Sequence, residues 1–274
     1  MEATPQVRIG PLLRDWRRRR RLSQLDLALR ADSSARHLSC VETGRAMPSR
    51  GLLLRLCEAM DIPLRERNAL LLSADYAPAY RESSLQDADM ASVRAALNRL
   101  LTAHEPYPAV VVDRVWNVLA GNRSLSMLTD VVSPTLMHPR PNVFRLILHP
   151  NGLAPRLVNL EEVRELTLAA LRRQVVATGD PRLEDLYEEI SAYPRPEGTG
   201  DEDWAAVPPR PWTPSPVEVP LRLRTPRGEL ALFSTMTTFG APADVTLSEL
   251  GVELFYPLDD STERALRSGA AALA

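Results

Sequence analysis

The sequence lacks lysine altogether, so all 33 of its basic residues are arginine. We attribute this to the codon usage of a GC-rich genome and infer no function from it. The chain also lacks any apolar run near the roughly 18 residues of a membrane-spanning helix, and its opening MEATPQVRIG has no apolar stretch typical of a signal peptide. We therefore expect a cytoplasmic protein with no membrane partner, whose only cysteines, Cys40 and Cys57, stay reduced.

Motifs of enzymes and metal sites are missing as well. The sequence has no G-x-S-x-G, no P-loop and no G-x-G-x-x-G after a strand. No Cys-x-x-Cys occurs, and the histidines are not paired at metal-site spacing. The acidic pairs Glu161-Glu162 and Glu188-Glu189 are adjacent in predicted helices, so their side chains point in different directions. We expect a protein that is not an enzyme and holds no cofactor and no metal.

Charge is divided unevenly along the 274 residues. Residues 1–76 hold 14 arginines and 9 acidic residues, a net charge of +5, whereas the remainder has a net charge of -7. The length predicts two domains. A basic first part joined to an acidic second part is typical of a nucleic-acid-binding module attached to a domain with another role.

The first part is predicted to be a series of short amphipathic helices. The first helix is predicted from an apolar stripe at the spacing of an amphipathic helix, formed by Ile9, Leu12, Leu13 and Trp16. Ser23 and Asp26 form a capping box for the second helix. Ser34 is expected to cap a third helix over 35–43, which Gly44 ends by taking the left-handed conformation.

The second and third of these helices, joined by a turn at 31–34, form a helix-turn-helix arrangement. In the recognition helix 35–43, Leu38 and Val41 face inward, while Arg36 can pair with guanine and His37 can donate to a base or a phosphate. Phosphate contacts are expected from Gln24 and from the arginine run 17–21. The candidate DNA contacts are Gln24, Ser34, Ala35, Arg36, His37, Ser39, Cys40, Arg45, Arg50 and Arg17. The alternative is a helical interaction module without a DNA target, with the arginine run as a solvated face.

Residues 9–64 resemble the XRE (Cro/C1-type) family of bacterial repressors. The matching elements are Leu22-Ser23-Gln24, the cap Ser34, Leu38-Ser39, Val41-Glu42-Thr43-Gly44-Arg45 and Pro48-Ser49. Asp32 stands where that family usually has glycine, and aspartate adopts positive φ more readily than most residues. Leu25 and Leu29 replace charged residues, which points to a covered surface. A further alternative is that Cys40 is a redox sensor, whose oxidation would block DNA binding.

Beyond a predicted linker (77–90) and a connecting helix (91–104), the pattern becomes α+β. Strands are predicted in YPAVVVDRVWNVLAGN, VEVPLRLRT, GELALFSTMTTFG and GVELFY, and helices in NRSLSMLTDVV, EEVRELTLAALRRQVVAT and PRLEDLYEEISAY. We predict one sheet assembled from both ends of this region, and a loop over the proline-rich residues 194–216.

This second region is similar to the MmyB-like transcriptional regulators, in which an XRE-type head precedes a PAS-like domain. The similar residues are VVVDRVWNVLAGNRS (110–124), NVFRLIL (142–148), the helix EEVRELTLAALRRQ and the strands LRLRTPRGELALFSTMTTFG. The resemblance implies a domain for sensing or dimerisation and leaves room for a small apolar ligand. Candidate ligand contacts are Trp116, Phe144, Phe233 and Met236. Trp116 and Phe233 are placed in strands whose alternate residues face inward, and an ordinary aromatic core is the alternative.

The expected fold is therefore multi-domain. It comprises an all-α helix-turn-helix DNA-binding domain (1–76, lambda-repressor-like), a linker with a connecting helix (77–104) and an α+β PAS-like domain (105–274). The expected function is sequence-specific binding of double-stranded DNA by a homodimer on a pseudo-palindromic operator, with ligand sensing in the second domain. The alternative is a second domain that docks a protein or dimerises without a ligand.

Overall fold

A computed structural model describes residues 9–194, 219–225 and 228–273. Beyond Pro194, the proline-rich segment predicted as a loop lies outside these described residues. The chain divides into two compact units. The first comprises the residues up to Ser84 together with Val176–Thr178 and Ala241–Ser248, and the second comprises the remainder.

Helices build the part of the first unit that precedes Ser84. They are α1 (Ile9–Arg19), α2 (Gln24–Arg30), α3 (Ala35–Glu42), α4 (Arg50–Ala59) and α5 (Leu64–Ser73). The predicted capping box is confirmed, since Ser23 and Asp26 bond each other's backbone amides at the start of α2. Ser34 Oγ accepts a hydrogen bond from the His37 amide, 3.1 Å away, and so caps α3. Gly44 follows α3 with φ of 74°, as expected for a glycine that ends a helix.

Two backbone features fix the helix-turn-helix geometry. A Cβ atom added to Gly10 would lie 2.5 Å from the carbonyl oxygen of Val41, so α1 approaches α3 at a distance that only glycine allows. In the turn, Asp32 has φ of 51°, the conformation expected from its place in a glycine position. Arg55 Nε donates to the Ala31 carbonyl oxygen at 2.9 Å and ties α4 to this turn.

The remaining helices follow in chain order. They are α6 (Ala91–Ala103), α7 (Ser126–Thr129), α8 (Val143–Leu148), α9 (Leu160–Thr178), α10 (Pro181–Ser191), α11 (Val245–Ser248) and α12 (Asp260–Leu273). The predicted connecting helix is α6, and the predicted linker before it ends in a short 3₁₀ turn at Ala88–Met90. Helix α11 belongs to the first unit, where Asp244 Oδ2 accepts a hydrogen bond from the Ser83 amide at 3.2 Å.

The described part of the second unit contains one antiparallel sheet. Its strands are β1 (Ala109–Val112), β2 (Val118–Gly121), β3 (Leu221–Thr225), β4 (Gly228–Thr238) and β5 (Gly251–Pro257), in the order β2-β1-β5-β4-β3. Because β1 and β2 come from the start of the domain and the others from its end, the predicted assembly is confirmed. Helices and this sheet together form an α+β fold of PAS-like type.

The apolar core of the second unit lies on one face of the sheet. Val110 and Val112 of β1, Leu232 of β4 and Phe255 of β5 all belong to one buried cluster. The same cluster contains Leu146 of α8 and other side chains of α9 and α10. Side chains alternate between the two faces of a strand, and the apolar positions of these strands meet the helices at every second residue. The same face, with Leu232 and Phe255, forms part of a pocket.

Candidate nucleic-acid interface and ligand pocket

The first turn of α3 presents two basic side chains to solvent. Arg36 and His37 are exposed, while Leu38 and Val41 are fully buried against the other helices of the head. The orientation of this helix therefore agrees with the sequence pattern. The bond from the His37 amide to Ser34 holds the turn that carries both side chains. This surface therefore presents a guanidinium and an imidazole group at a capped helix N-terminus, where a DNA duplex could contact them.

The other candidate DNA contacts surround this turn at different depths. Ser34, Arg45 and Arg50 are exposed, whereas Ala35, Ser39 and Cys40 are half-buried. The exposed arginines flank the end of α3 and the beginning of α4. Their long side chains are suited to phosphate contacts that position a protein without reading sequence.

Gln24 and Arg17, two of the predicted phosphate contacts, are held inside the head by Glu42. Arg17 donates from Nε to Glu42 Oε1 at 2.6 Å and from Nη2 to Oε2 at 2.9 Å. Gln24 Nε2 donates to Glu42 Oε2 at 2.8 Å. Arg17 Nη1 also donates to the Leu22 carbonyl oxygen at 2.7 Å. These bonds join α1, α2 and α3 through one carboxylate.

Glu42 is a charged side chain in the core of the head, with a relative exposure of 5%. Burial by itself would raise the pKa of Glu42, but the hydrogen bonds from Arg17 and Gln24 outweigh it and hold the pKa below its usual value. The same pairing raises the pKa of Arg17. Glu42 belongs to a matching element of the sequence, but its buried role could not be predicted, because a glutamate at the end of a short helix looks like any surface acid.

The remaining arginines of the run 17–21 divide between two environments. Arg20 donates to the carbonyl oxygens of Met60 and Asp61 at 2.7 and 3.1 Å, so it ties α1 to the end of α4. Arg19 places its guanidinium 5.4 Å from the centre of the Trp16 ring. Arg18 and Arg21 are exposed. The run is therefore partly structural and partly available to a polyanion.

A pocket of about 180 Å³ lies in the second unit, on the helix-covered face of the sheet. Its lining comes from the turn before β2, from α8 and α9, and from strands β3, β4 and β5. The lining residues are Trp116, Val143, Phe144, Ile147, Val163, Leu166, Thr167, Ala170, Val219, Leu221, Leu232, Phe233, Ser234, Glu253 and Phe255. A second apolar void of about 40 Å³ shares Val143, Ile147, Leu221 and Phe255 with it.

Trp116 forms one wall of the pocket. The prediction that it lies in a strand is wrong. It occupies a turn between β1 and β2, where Asp113 Oδ1 accepts hydrogen bonds from the amides of Val115 and Asn117, both at 2.9 Å. The tight turn forces Trp116 to a φ of 66°, which is unusual for a bulky residue. Trp116 Nε1 donates to Gln174 Oε1 at 2.8 Å, which fixes the orientation of the indole ring.

Phe144 packs beside this ring, with the two ring centres 4.4 Å apart. It lies in α8, whose first turn is capped by the Asn142 side chain. The Val143 amide donates to the Trp116 carbonyl oxygen at 2.9 Å, so the helix and the turn are connected by their backbones. Trp116 and Phe144 are thus brought together from separate parts of the sequence.

The other two candidate ligand residues are placed differently. Phe233 is in β4 as predicted, but its ring stacks on Tyr256 at 5.2 Å. These are paired residues of β4 and β5, and both are out of phase with the pocket positions Ser234 and Phe255. Phe233 therefore reaches the pocket mainly through its backbone. Met236 shares the alternation of Ser234 but is 44% exposed and does not line the pocket.

Among the described residues of the pocket lining, Glu253 is the charged one, and it was not among the predicted ligand contacts. Its Oε1 accepts a hydrogen bond from Ser234 Oγ at 2.7 Å. Its Oε2 is buried without a hydrogen-bond partner among the described residues. Burial raises the pKa of Glu253, and the bond from Ser234 opposes this effect. The alternation of GVELFY could have revealed it, since Glu253 shares a face with the core residue Phe255.

The described residues contain neither a cluster suited to a metal ion nor a helix suited to a membrane. Within 9–194, 219–225 and 228–273, no three His, Cys, Asp or Glu side chains come together as a metal site would require. Among the helices in those ranges, none combines the length and the apolar character needed to cross a bilayer.

A helix-turn-helix head and a PAS-like α+β domain with an apolar pocket define a DNA-binding transcription regulator. Comparison with known families agrees with this class. Residues 93–268 match the family of MmyB-like transcription regulator ligand binding domains, and residues 8–70 match a helix-turn-helix domain family. The chain belongs to the MmyB-like family. It is a helix-turn-helix regulator with a MmyB-like ligand-binding domain.

Other comparisons add little to this assignment. A search of curated proteins gave no significant match. One similar solved structure is described as "Structure of an RNA-binding Light-Oxygen-Voltage Receptor". It is 11% identical, with a TM-score of 0.28, over 96% of this chain and 62% of that one. The chain thus spans less than two thirds of the length of that structure.

Proposed function

We propose that the protein is a homodimeric transcription regulator that binds a pseudo-palindromic operator and senses a small apolar molecule. In this proposal, residues 1–76 are the DNA-binding domain, 77–104 connect, and 105–274 sense and dimerise. The observation that carries the DNA-binding part is the capped first turn of α3, which exposes Arg36 and His37 above the buried Leu38. A helix presented in this way matches the major-groove reading of helix-turn-helix proteins.

The size of the head supports dimerisation. A single small DNA-binding module buries little surface, and specific affinity usually comes from two heads on half-sites about 34 to 36 Å apart. A ligand that binds two arrangements of the dimer with different affinity would change the spacing of the heads and thereby the occupancy of the operator. The pocket of about 180 Å³ lined by Trp116 and Phe144 supports this sensing role.

Native mass spectrometry of the purified full-length protein tests both parts of the proposal. We expect a dimer whose mass exceeds twice the denatured mass when a small molecule is retained. A monomer at micromolar concentration would contradict the two-half-site arrangement. A selection from random duplexes, followed by footprinting, is expected to recover a site with two-fold symmetry.

A second candidate function treats residues 105–274 as a dimerisation or protein-docking module without a ligand. It is favoured by apolar side chains on the surface of the head, since Leu25 and Leu29 of α2 are 58% and 71% exposed. Such neighbours at i and i+4 lie on one helix face, and exposed apolar patches often mark interaction sites. The double variant Leu25→Ser, Leu29→Ser tests whether this patch binds a partner. Partner binding that the double variant abolishes, in a protein that retains no small molecule, would favour the second function.

A further inference from the structure

The pocket of the second unit contains one carboxyl group whose hydrogen bonding is incomplete. Glu253 Oε1 is satisfied by Ser234, whereas Oε2 lies buried without a partner among the described residues. A buried polar atom without a partner costs free energy, and native proteins keep few of them. An atom of this kind in the wall of a pocket is a natural contact for a ligand.

Apart from the Ser234 hydroxyl, the neighbours of this carboxyl group on the sheet are apolar. Val110 of β1 and Met236 of β4 are the residues paired with Glu253 across the sheet. No arginine or histidine of the described ranges forms an ion pair or a hydrogen bond with it. A carboxylate in such a position lacks the positive charge that would offset its loss of hydration. A ligand donor that carries positive charge would both satisfy Oε2 and stabilise the ionised form of this carboxyl group, which burial alone disfavours.

The size and walls of the pocket limit the rest of the ligand. A cavity of about 150 Å³ holds one benzene molecule, so the observed volume of about 180 Å³ fits one ring with a short substituent. Trp116 and Phe144 provide neighbouring aromatic rings, and Phe255 lies on the sheet beside them. Aromatic rings pack against an apolar body and attract a cation at their faces.

We propose that this pocket binds a small apolar amine whose ammonium group donates a hydrogen bond to Glu253 Oε2. The apolar body of the amine lies against Trp116 and Phe144. This inference names the class of ligand for the sensing function proposed above and rests on that function. An ammonium group supplies both the donor and the charge that the carboxyl group lacks, and a charge-assisted hydrogen bond is stronger than a neutral one. A carboxylate of the same shape would instead be repelled.

Isothermal titration of the full-length protein tests the proposal with two probes of similar shape. The first is 2-phenylethylamine and the second is 3-phenylpropanoate. We expect the amine to bind and the carboxylate to bind at least about tenfold more weakly, because one charge-assisted hydrogen bond is replaced by repulsion. This comparison uses the unaltered protein and does not depend on how a variant folds.

The variant Glu253→Gln keeps the shape of the side chain and removes its charge. We expect it to bind the amine at least about tenfold more weakly than the unaltered protein. The matched control is Glu184→Gln, an exposed acid on α10, which should bind the amine as before. Amine affinity that is unchanged in Glu253→Gln, tighter binding of the carboxylate, or no amine binding at millimolar concentration would each overturn the proposal.

Operator binding by the same preparations separates this inference from the proposed function. A protein that binds its operator but not the amine contradicts the ligand class and leaves the regulator intact. A protein that binds the amine without any response of operator affinity supports the site but contradicts sensing. Failure to bind any selected duplex contradicts the DNA-binding function itself.

Discussion

Arg17 and Glu42 form a bidentate ion pair in the core of the head, with Nε 2.6 Å from Oε1 and Nη2 2.9 Å from Oε2. The arginine belongs to a run that the charge pattern assigned to phosphate binding. Its side chain is 12% exposed, and its partner is almost fully buried. The pair connects α1 to the recognition helix, so Arg17 supports the surface on which the candidate DNA contacts lie.

The first prediction separates the structural arginines of the run from the exposed ones. Arg17→Ala leaves Glu42 as a buried carboxylate with one partner fewer, and we expect it to destabilise the head by about 3–5 kcal/mol. Arg18→Ala, at an exposed position of the same helix, should leave stability within about 0.5 kcal/mol. Urea unfolding followed by circular dichroism measures both. Equal stability of the two variants would contradict the structural role of Arg17.

The second prediction concerns acid sensitivity. The pKa of Glu42 is lowered in the folded head from its usual value of 4.5. A lowered folded-state pKa contributes stability that is fully present above the unfolded value and is lost as the pH falls through the folded one. Unfolding between pH 7 and pH 3 should therefore show stability falling below about pH 4.5. Glu42→Gln should be less stable at pH 7 and show a shallower fall.

The control for this acid transition is Glu58→Gln, an exposed position on α4. It should follow the pH dependence of the unaltered protein closely. If Glu42→Gln and Glu58→Gln have the same pH profile, the Arg17–Glu42 pair does not account for the loss of stability.

The third prediction follows from the close approach of α1 to α3. Gly10→Ala would place a methyl group 2.5 Å from the Val41 carbonyl oxygen and 2.7 Å from that of Glu42, and a backbone cannot move aside as a side chain can. We expect a loss of about 1–3 kcal/mol. Gly51→Ala in α4 meets only Arg55, at 3.8 Å, and should gain up to about 1 kcal/mol. Thermal melts of both variants, with opposite shifts, check this.

The fourth prediction tests the register of the recognition helix. Replacing Arg36 by alanine should cost about 1 to 3 kcal/mol of operator binding and relax the preference at one base pair. Arg45→Ala should weaken binding to operator and random duplexes alike, because a phosphate contact carries no sequence information. Fluorescence anisotropy with both duplexes measures the two effects. An Arg36→Ala protein that binds both as before would place base reading on other residues of α3.

The fifth prediction uses the two cysteines. Cys57 is buried in the head, and burial raises its pKa to about 12, so it should resist alkylation at pH 8. Cys40 is half-buried beside the exposed turn of α3 and should be alkylated first. The added group should reduce operator binding, as measured by anisotropy, if this face of the helix meets DNA. Cys40→Ser is the control, and its DNA binding should be unaffected by the reagent.

Local signals were enough to predict most secondary structure. Ser23, Ser34 and Gly44 act within one turn of the chain, and each takes the predicted role. Period-3.6 and β-branched patterns likewise located α9 and the strands, because each element's own face is encoded in its own residues. Trp116 was an exception. The turn organised by Asp113 interrupts what looked like one apolar strand run.

By itself, then, the sequence determined the helix boundaries of the head, the exposure of Arg36 and His37, and the α+β character of the second region. All of these depend on neighbours within a few positions. Only the tertiary structure decided that Arg17 and Gln24 turn inward to Glu42, and that Glu253 meets Trp116 and Phe144 in one pocket. Those contacts join residues far apart in the chain, and long flexible side chains take their direction from partners that no local pattern identifies.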